Sequence, residues 1–344
     1  MIWLTWRQLR TQFVVVLGLV VAACVVLAVT GPDLARLASR DVNVYDLLTS
    51  NDRLLFNGGL ALLAVAPPII GVFWGAPLAA RELETGTYRL VWSQSVTRSR
   101  WLAVKLGLSV LATVLVVGAL STAVTWWSQP LDGAVGAERG SLPSRLTPIS
   151  FAMRGIVPVG YAVFALVLGV LLGLVLRRSL PAMALTLAVY VCVQVAVPLW
   201  VRPHLVAPTT TDIVMSEATT DGITTDGTGT WTLTARAVDS RDWVLSNQTI
   251  DADGDVAAPP AAFTDCLPPP PGRVEPGGTM EAHPSPGSID SCFDELADAG
   301  YRQRIVYQPH DHFWPLQWAE TGLYLAASGA LAGASFWWIR RRRT

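Results

Sequence analysis

The chain is short of charge. Asp, Glu, Lys and Arg together make up 15% of its 344 residues, and hydrophobic residues make up 51%; a soluble domain carries roughly 25% charged residues. Lysine is almost missing, with Lys105 the sole one among 25 basic residues. No glycine-rich loop of the form Gly-x-x-x-x-Gly-Lys-Ser/Thr leads into it, which excludes that mode of nucleotide binding. His-Glu-x-x-His and Gly-x-Ser-x-Gly are also missing, and with them two common hydrolase signatures. Only four histidines occur. Two of them flank an acid in His310-Asp311-His312, but no further ligand is placed, so the cluster reads as polar and interfacial. Asp251, Asp253 and Asp255 alternate as in a calcium loop. A glycine at the fourth position (Gly254) and Ala262 at the twelfth depart from the glycine at six and glutamate at twelve that such loops need. A net charge of −1 gives no drive towards nucleic acid.

The missing charge is withdrawn from long apolar runs. A helix needs about 20 apolar residues to cross about 30 Å of hydrocarbon, and only helices or closed barrels satisfy their backbone groups there. The runs are too uniform for barrel strands, which alternate. They predict helices at 13–30, 56–78, 103–127, 155–176, 180–201 and 316–339. Arg7 and Arg10 before the first run resemble the start of a signal peptide. The run is long and lacks a clear small-residue cleavage site, so it is read as an uncleaved helix. The expected fold is an all-α membrane bundle of six transmembrane helices. A small extracellular insertion, α/β or mostly irregular with some β content, precedes the last helix.

Basic residues set the orientation. With the N-terminus in the cytoplasm, segments 1–12, 79–105, 177–179 and 340–344 are inside. They hold thirteen basic residues against two acids, Glu82 and Glu84. The opposite segments hold twelve basic residues and 23 acids, with Glu320 left inside the sixth helix. The expectation is a multi-pass cell-membrane protein with both termini cytoplasmic. Its parts are an interfacial segment 1–12, helices over 13–201 with a cytoplasmic loop at 79–102, an extracellular domain 202–314, and a last helix with a basic tail over 315–344. In 1–12, Trp3, Trp6 and Leu9 share a helical face suited to the membrane interface.

Four cysteines are present. Cys24 and Cys192 fall in apolar runs and read as small buried residues. Cys266 and Cys292 fall in the extracellular segment, an oxidising location. A disulfide between them would close a loop of about 25 residues and stabilise it by about 3 kcal/mol. Within the extracellular segment, Trp231 to Val238 alternates like a strand. Pro67-Pro68 and Pro158 are expected to bend their helices. Three Gly-x-x-x-Gly pairs, Gly71/Gly75, Gly169/Gly173 and Gly329/Gly333, suit close helix approach. Glu320, an acid within a membrane helix, is a candidate gating residue, although its place near the outer end also suits contact with interfacial water.

The loop between the second and third runs carries the most information. The second helix is expected to continue to Glu84, with Gly86 as its stop. An amphipathic element over Tyr88 to Ser95 follows, then Arg98, Arg100 and Trp101 at the start of the third helix. The stretches Ala80-Arg-Glu-Leu-Glu-Thr-Gly-Thr87, Trp92-Ser-Gln-Ser-Val-Thr-Arg98 and Arg100-Trp-Leu-Ala-Val-Lys105, with Trp6-Arg-Gln-Leu-Arg10, resemble permease subunits of actinobacterial ABC-2-type transporters. The resemblance implies a non-catalytic permease of an exporter for amphipathic or hydrophobic cargo such as a drug, lipid or peptide. It implies a dimer with a second copy or a paralogue, and a separate ABC ATPase subunit that binds ATP and Mg; this chain itself would carry no cofactor. It also implies that Glu82, Glu84, Gly86, Thr87, Arg89 and Arg98 form the element that couples to the ATPase. A membrane sensor or scaffold whose outside domain binds a ligand is the alternative, but such a protein usually carries a cytoplasmic output domain, and none is legible. A membrane enzyme would need a polar constellation beyond Glu320 and the His310–His312 cluster.

Overall fold

The computed structural model describes residues 2–39, 49–86, 97–132, 144–225, 231–236, 239–260, 263 and 288–341. The chain divides into two units, Met1–Val206 with Asp311–Thr344, and Ala207–His310.

The first unit is helical. Six helices among the described residues are long and apolar enough to cross a membrane. Helix α1 (Ile2–Ala38) is unbroken, so residues 2–12 of the expected interfacial segment are continuous with the first span. Helix α2 (Ser50–Ile69) starts at a capping box, in which the Thr49 hydroxyl accepts from Asp52 N and the Asp52 carboxylate accepts from Thr49 N. That exchange satisfies two of the donors a helix start leaves open. Pro67 and Pro68 lack the N–H that would close the last α-helical bonds. The helix does not break there; it widens into a π-helical turn (Ile70–Gly75) and resumes as α3 (Ala76–Glu84). Gly86, at φ +73°, ends it in the left-handed conformation that glycine adopts without strain.

Helix α4 (Arg98–Asp132) is followed by a short α5 (Pro148–Ala152) and by α6 (Val157–Leu176). Pro158 sits in the first turn of α6, where its missing N–H costs nothing, and so it starts the helix instead of bending it. After Arg177 and Arg178, α7 (Ser179–Ala196) runs through a second π-helical turn (Val197–Val201) into a 3-10 turn (Arg202–His204).

Helix α6 is the centre of the bundle, buried from Val157 to Val170 almost without interruption and packed by α2, α3, α4 and α7. Close approach is possible because glycines face glycines. A Cβ on Gly71 would lie 2.8 Å from Ala165 O, and one on Gly169 would lie 2.7 Å from Ala76 N. Two of the three Gly-x-x-x-Gly pairs therefore face each other. Around Gly329 and Gly333 nothing among the described residues lies within 4 Å of a Cβ. Apolar side chains such as Leu19, Val29, Leu62 and Leu199 point outward, as lipid contact requires. Cys24 is half-buried, but Cys192 is exposed on the outside of α7, against the expectation of burial.

The second unit carries a three-stranded antiparallel sheet in the order β1 (Thr209–Ile213), β5 (Arg302–Gln308), β4 (Trp243–Ile250). A two-stranded ribbon, β2 (Thr220–Thr225) with β3 (Trp231–Ala235), lies beside it. Gln303 and Asn247 tie ribbon to sheet through the Leu233 and Ala235 carbonyls. Helix α8 (Ser288–Asp298) places Phe293 and Leu296 in a core with Leu233, Phe263 and Ile305. The Asp251 carboxylate folds back on Asp253 N and Asp255 N. Asp239 is gripped by Arg241, which holds its carboxyl down at about 2. Cys292 is disulfide-bonded; Cys266, its expected partner, lies outside the described residues.

The final helix, α9 (Phe313–Arg341), returns to the first unit and packs along α6. Its N-terminal region meets Arg202, which was expected to begin the outside domain and instead belongs to the membrane unit.

Candidate functional site

The expected coupling residues divide into those the structure describes and those it does not. Thr87 and Arg89, with the amphipathic element over 88–95, lie outside the described residues. Arg98 is the half-buried first residue of α4. Glu82, Glu84 and Gly86 close α3.

Both glutamates bond to neighbouring helices, Glu82 from a partly buried position and Glu84 from an exposed one. Glu82 receives Lys105 Nζ from α4 and the Trp101 indole N–H at 3.2 Å. Lys105 is 7% exposed and sits 4.9 Å from the Trp101 ring centre, and its Nζ also reaches Leu78 O at 3.5 Å. The sole lysine of the chain is thus a strut between α3 and α4. Glu84 accepts from Ser179 N at 3.1 Å and from Ser179 Oγ at 2.8 Å. A carboxylate there satisfies an open donor of α7 and meets the positive end of its dipole. Arg177, in a left-handed conformation, and the extended Arg178 make the turn that brings Ser179 into place. The third face of α3 is glycine-close to α6, since a Cβ on Gly173 would lie 2.5 Å from Ala76 O. One short helix is therefore held to α4, α6 and α7 at once.

A second polar centre lies near the opposite end of the bundle. Glu320 of α9 is 0% exposed, and so is its partner Arg202. Arg202 donates Nε to Oε2 at 2.7 Å and Nη2 to Oε1 at 3.0 Å, a two-pronged pair. It also reaches Tyr161 OH at 3.1 Å and Pro148 O at 3.1 Å, and it lies 4.5 Å from the Phe151 ring centre. The Tyr161 hydroxyl donates to Glu320. Glu320 therefore does not reach interfacial water; a buried arginine neutralises it. Three residues earlier, Gln317 accepts from Ile156 N and Val157 N and donates to Phe151 O and Arg154 O, which fixes the loop before α6.

Among the described residues, no group of three or more His, Cys, Asp and Glu could hold a metal ion. Sequence reasoning missed Arg202 and Lys105 as partners, and also Arg154, whose Nε donates to Ser128 Oγ at 2.8 Å and Nη1 to Asp132 Oδ1 at 2.6 Å. Each is a lone basic residue at or near the end of an apolar run, where it reads as an interfacial anchor.

A model of the ABC-2 membrane transporter related family matches residues 14–202, more than half of the chain. The chain belongs to that family. The match spans α1 to the end of α7, so this ABC-2 membrane protein carries the family's region together with the struts at Glu82 and Glu84. No curated protein and no solved structure matches it. Family and helices together make it a multi-pass membrane protein of the ABC-transporter permease type.

Proposed function

We propose that this chain is the permease subunit of an ATP-driven exporter. A separate ATPase docks on the α3 end, and the cargo is amphipathic or hydrophobic: a drug, lipid or peptide. In this reading both termini are cytoplasmic in the cell membrane, the permease works as a dimer with a second copy or a paralogue, and ATP and Mg are held by the ATPase alone.

The observation that supports it is the three-way bracing of α3. A push on a free loop dissipates in the loop. A push on α3 is passed to α4 through Glu82 and Lys105, to α7 through Glu84 and Ser179, and to α6 through backbone packing. Packed elements of that kind move between discrete arrangements instead of deforming smoothly. Gly86 gives α3 a defined end from which Thr87, Arg89 and Arg98 can complete the docking surface.

The test is ATP hydrolysis by the reconstituted complex. Glu84→Lys removes the acceptor for Ser179 and sets a cation at a helix N-terminus, where it is unfavourable. The ATPase should remain bound while its stimulation by the permease falls at least about tenfold, a loss of roughly 1.4 kcal/mol of coupling. Unchanged stimulation in both Glu84→Lys and Glu82→Lys would contradict the reading.

A further inference from the structure

Helix α7, with the π-helical and 3-10 turns that follow it, makes one span of 26 residues, Ser179–His204. At the α-helical rise that is about 39 Å, enough to run from the α3 end of the bundle to the Arg202–Glu320 centre. The span is bonded to its neighbours at three levels. At its start, Ser179 N and Oγ donate to Glu84 of α3. Past its middle, Gln194 accepts from Tyr324 OH of α9 at 2.6 Å. At its end, Arg202 grips Glu320 of α9, Tyr161 of α6 and the Pro148 carbonyl.

Between these levels the contact is of another kind. The buried residues of α7 are Ala182, Thr186 and Tyr190, four apart and so one narrow stripe. The Thr186 hydroxyl is satisfied by Ala182 O of its own helix. Leu180, Leu187, Val191 and Val195 face outward. Such a stripe holds by dispersion, which has no preferred direction, and helices packed in this way shift past their neighbours by about 1–2 Å. The bonds at the two ends are directional and travel with the helix. Just before Arg202 the wide π-helical turn gives way to a tight 3-10 turn, the kind of irregularity at which helices hinge.

We propose that α7 is the rod that carries movement of α3 across the membrane to α9, with Arg202 and Glu320 as its outer coupling. This rests on the permease reading and adds to it the helix by which the ATPase sets the far end of the bundle. A displacement of α3 draws Ser179 with Glu84. The helix passes it along its length, and Arg202 moves Glu320 and the first turns of α9. Gln317 on those turns holds the loop before α6, so that loop follows. Arg202 and Glu320 are a positioning pair: both are 0% exposed and face each other.

The test uses the full chain with its ATPase in lipid and reads the distance between spin labels at Val29 of α1 and Trp318 of α9. Both sites are exposed, at 70% and 66%. Cys24 and Cys192, free among the described residues, are changed to alanine, and labelled chain is diluted into unlabelled chain so that distances within one chain are read. ATP should change the distance by at least about 2 Å. Ser179→Pro cuts the rod at its inner end. The ring removes both donors to Glu84, and it fits, because Ser179 is the first residue of α7 and Arg178 before it is extended at φ −133° and ψ 128°. Tyr161→Phe, Arg202→Met and Glu320→Leu together cut it at the outer end and leave no buried charge and no stranded hydroxyl there. Each cut should abolish the ATP-dependent change. The triple variant should do so while it retains the ATPase and unfolds near the temperature of the parent, a combination that a merely structural pair would not give. A change that survives in either variant, or that is missing from the unaltered complex, overturns the rod. If the triple variant does not fold, Ser179→Pro decides, read on the chains that retain the ATPase. An ATPase that never binds defeats the permease reading itself, and the rod with it.

Discussion

Breaking the Arg202–Glu320 pair should destabilise the membrane unit far more than removing it whole. Both residues are 0% exposed, and Arg202 spends two of its donors on the carboxylate. Glu320→Leu leaves a guanidinium buried with only the Tyr161 hydroxyl and the Pro148 carbonyl. Removing one partner of a buried pair costs about 3–5 kcal/mol. For a unit of this size each kcal/mol moves the midpoint of thermal unfolding by about 2–4 °C, so the fall should be about 6–20 °C. Arg202→Met should cost a similar amount, because it strands the carboxylate. The double variant removes both charges, and apolar replacement of such a pair is often neutral. It still leaves the Tyr161 hydroxyl without its acceptor, at about 1–3 kcal/mol, which Tyr161→Phe as a third change should return. The assay is thermal unfolding of each purified variant in the same detergent, followed by loss of the monodisperse peak in size-exclusion chromatography. Single losses that simply add in the double variant, or single losses below about 1 kcal/mol, would refute the reasoning.

Gly75→Ala and Gly169→Ala should each destabilise the bundle by about 1–3 kcal/mol, since the added methyl meets backbone atoms. Gly329→Ala should be neutral or slightly stabilising, since its Cβ meets nothing among the described residues; thermal unfolding of the three variants checks the contrast. In the second unit, Arg241 lowers the Asp239 carboxyl from 3.8 to about 2. A lowered carboxyl contributes stability above its unfolded value and loses it as pH falls through the folded one. Pepsin cleavage near 239–250 should therefore rise as pH falls from about 4 to about 2. Asp239→Asn should be cleaved to the same extent throughout that window once the protease's own pH profile is divided out.

The six spans were legible because hydrocarbon demands long apolar runs, and those runs survive in any reading of the chain. Their ends were less so. Helix α4 begins at Arg98 and ends at Asp132, beyond the 103–127 run, because charged and aromatic residues continue a helix into the interface as readily as they end it. Gly86 was legible as a stop, since a glycine after a charged helical turn has few other uses. The Gly-x-x-x-Gly pairs announced close packing, but which pairs face each other is a fact of the assembled bundle. Arg202 stood for a loop charge in sequence; only the approach of α7 to α9, residues 118 apart in the chain, makes it the partner of Glu320. Lys105 and Glu82 hid for the same reason. Pro158 misled because proline bends a helix interior yet suits a first turn, and only the position of the start distinguishes the two.

The central claim is that a separate ATPase docks where α3 ends. The measurement that tests it most directly is co-purification: tag this chain, extract it in mild detergent with and without ATP, and identify soluble ATPase chains retained with it. The account predicts that one ATPase is retained and that reversing Glu82 and Glu84 to lysine together weakens its retention or abolishes its stimulation by the permease. Retention of no ATPase under any nucleotide condition would contradict it.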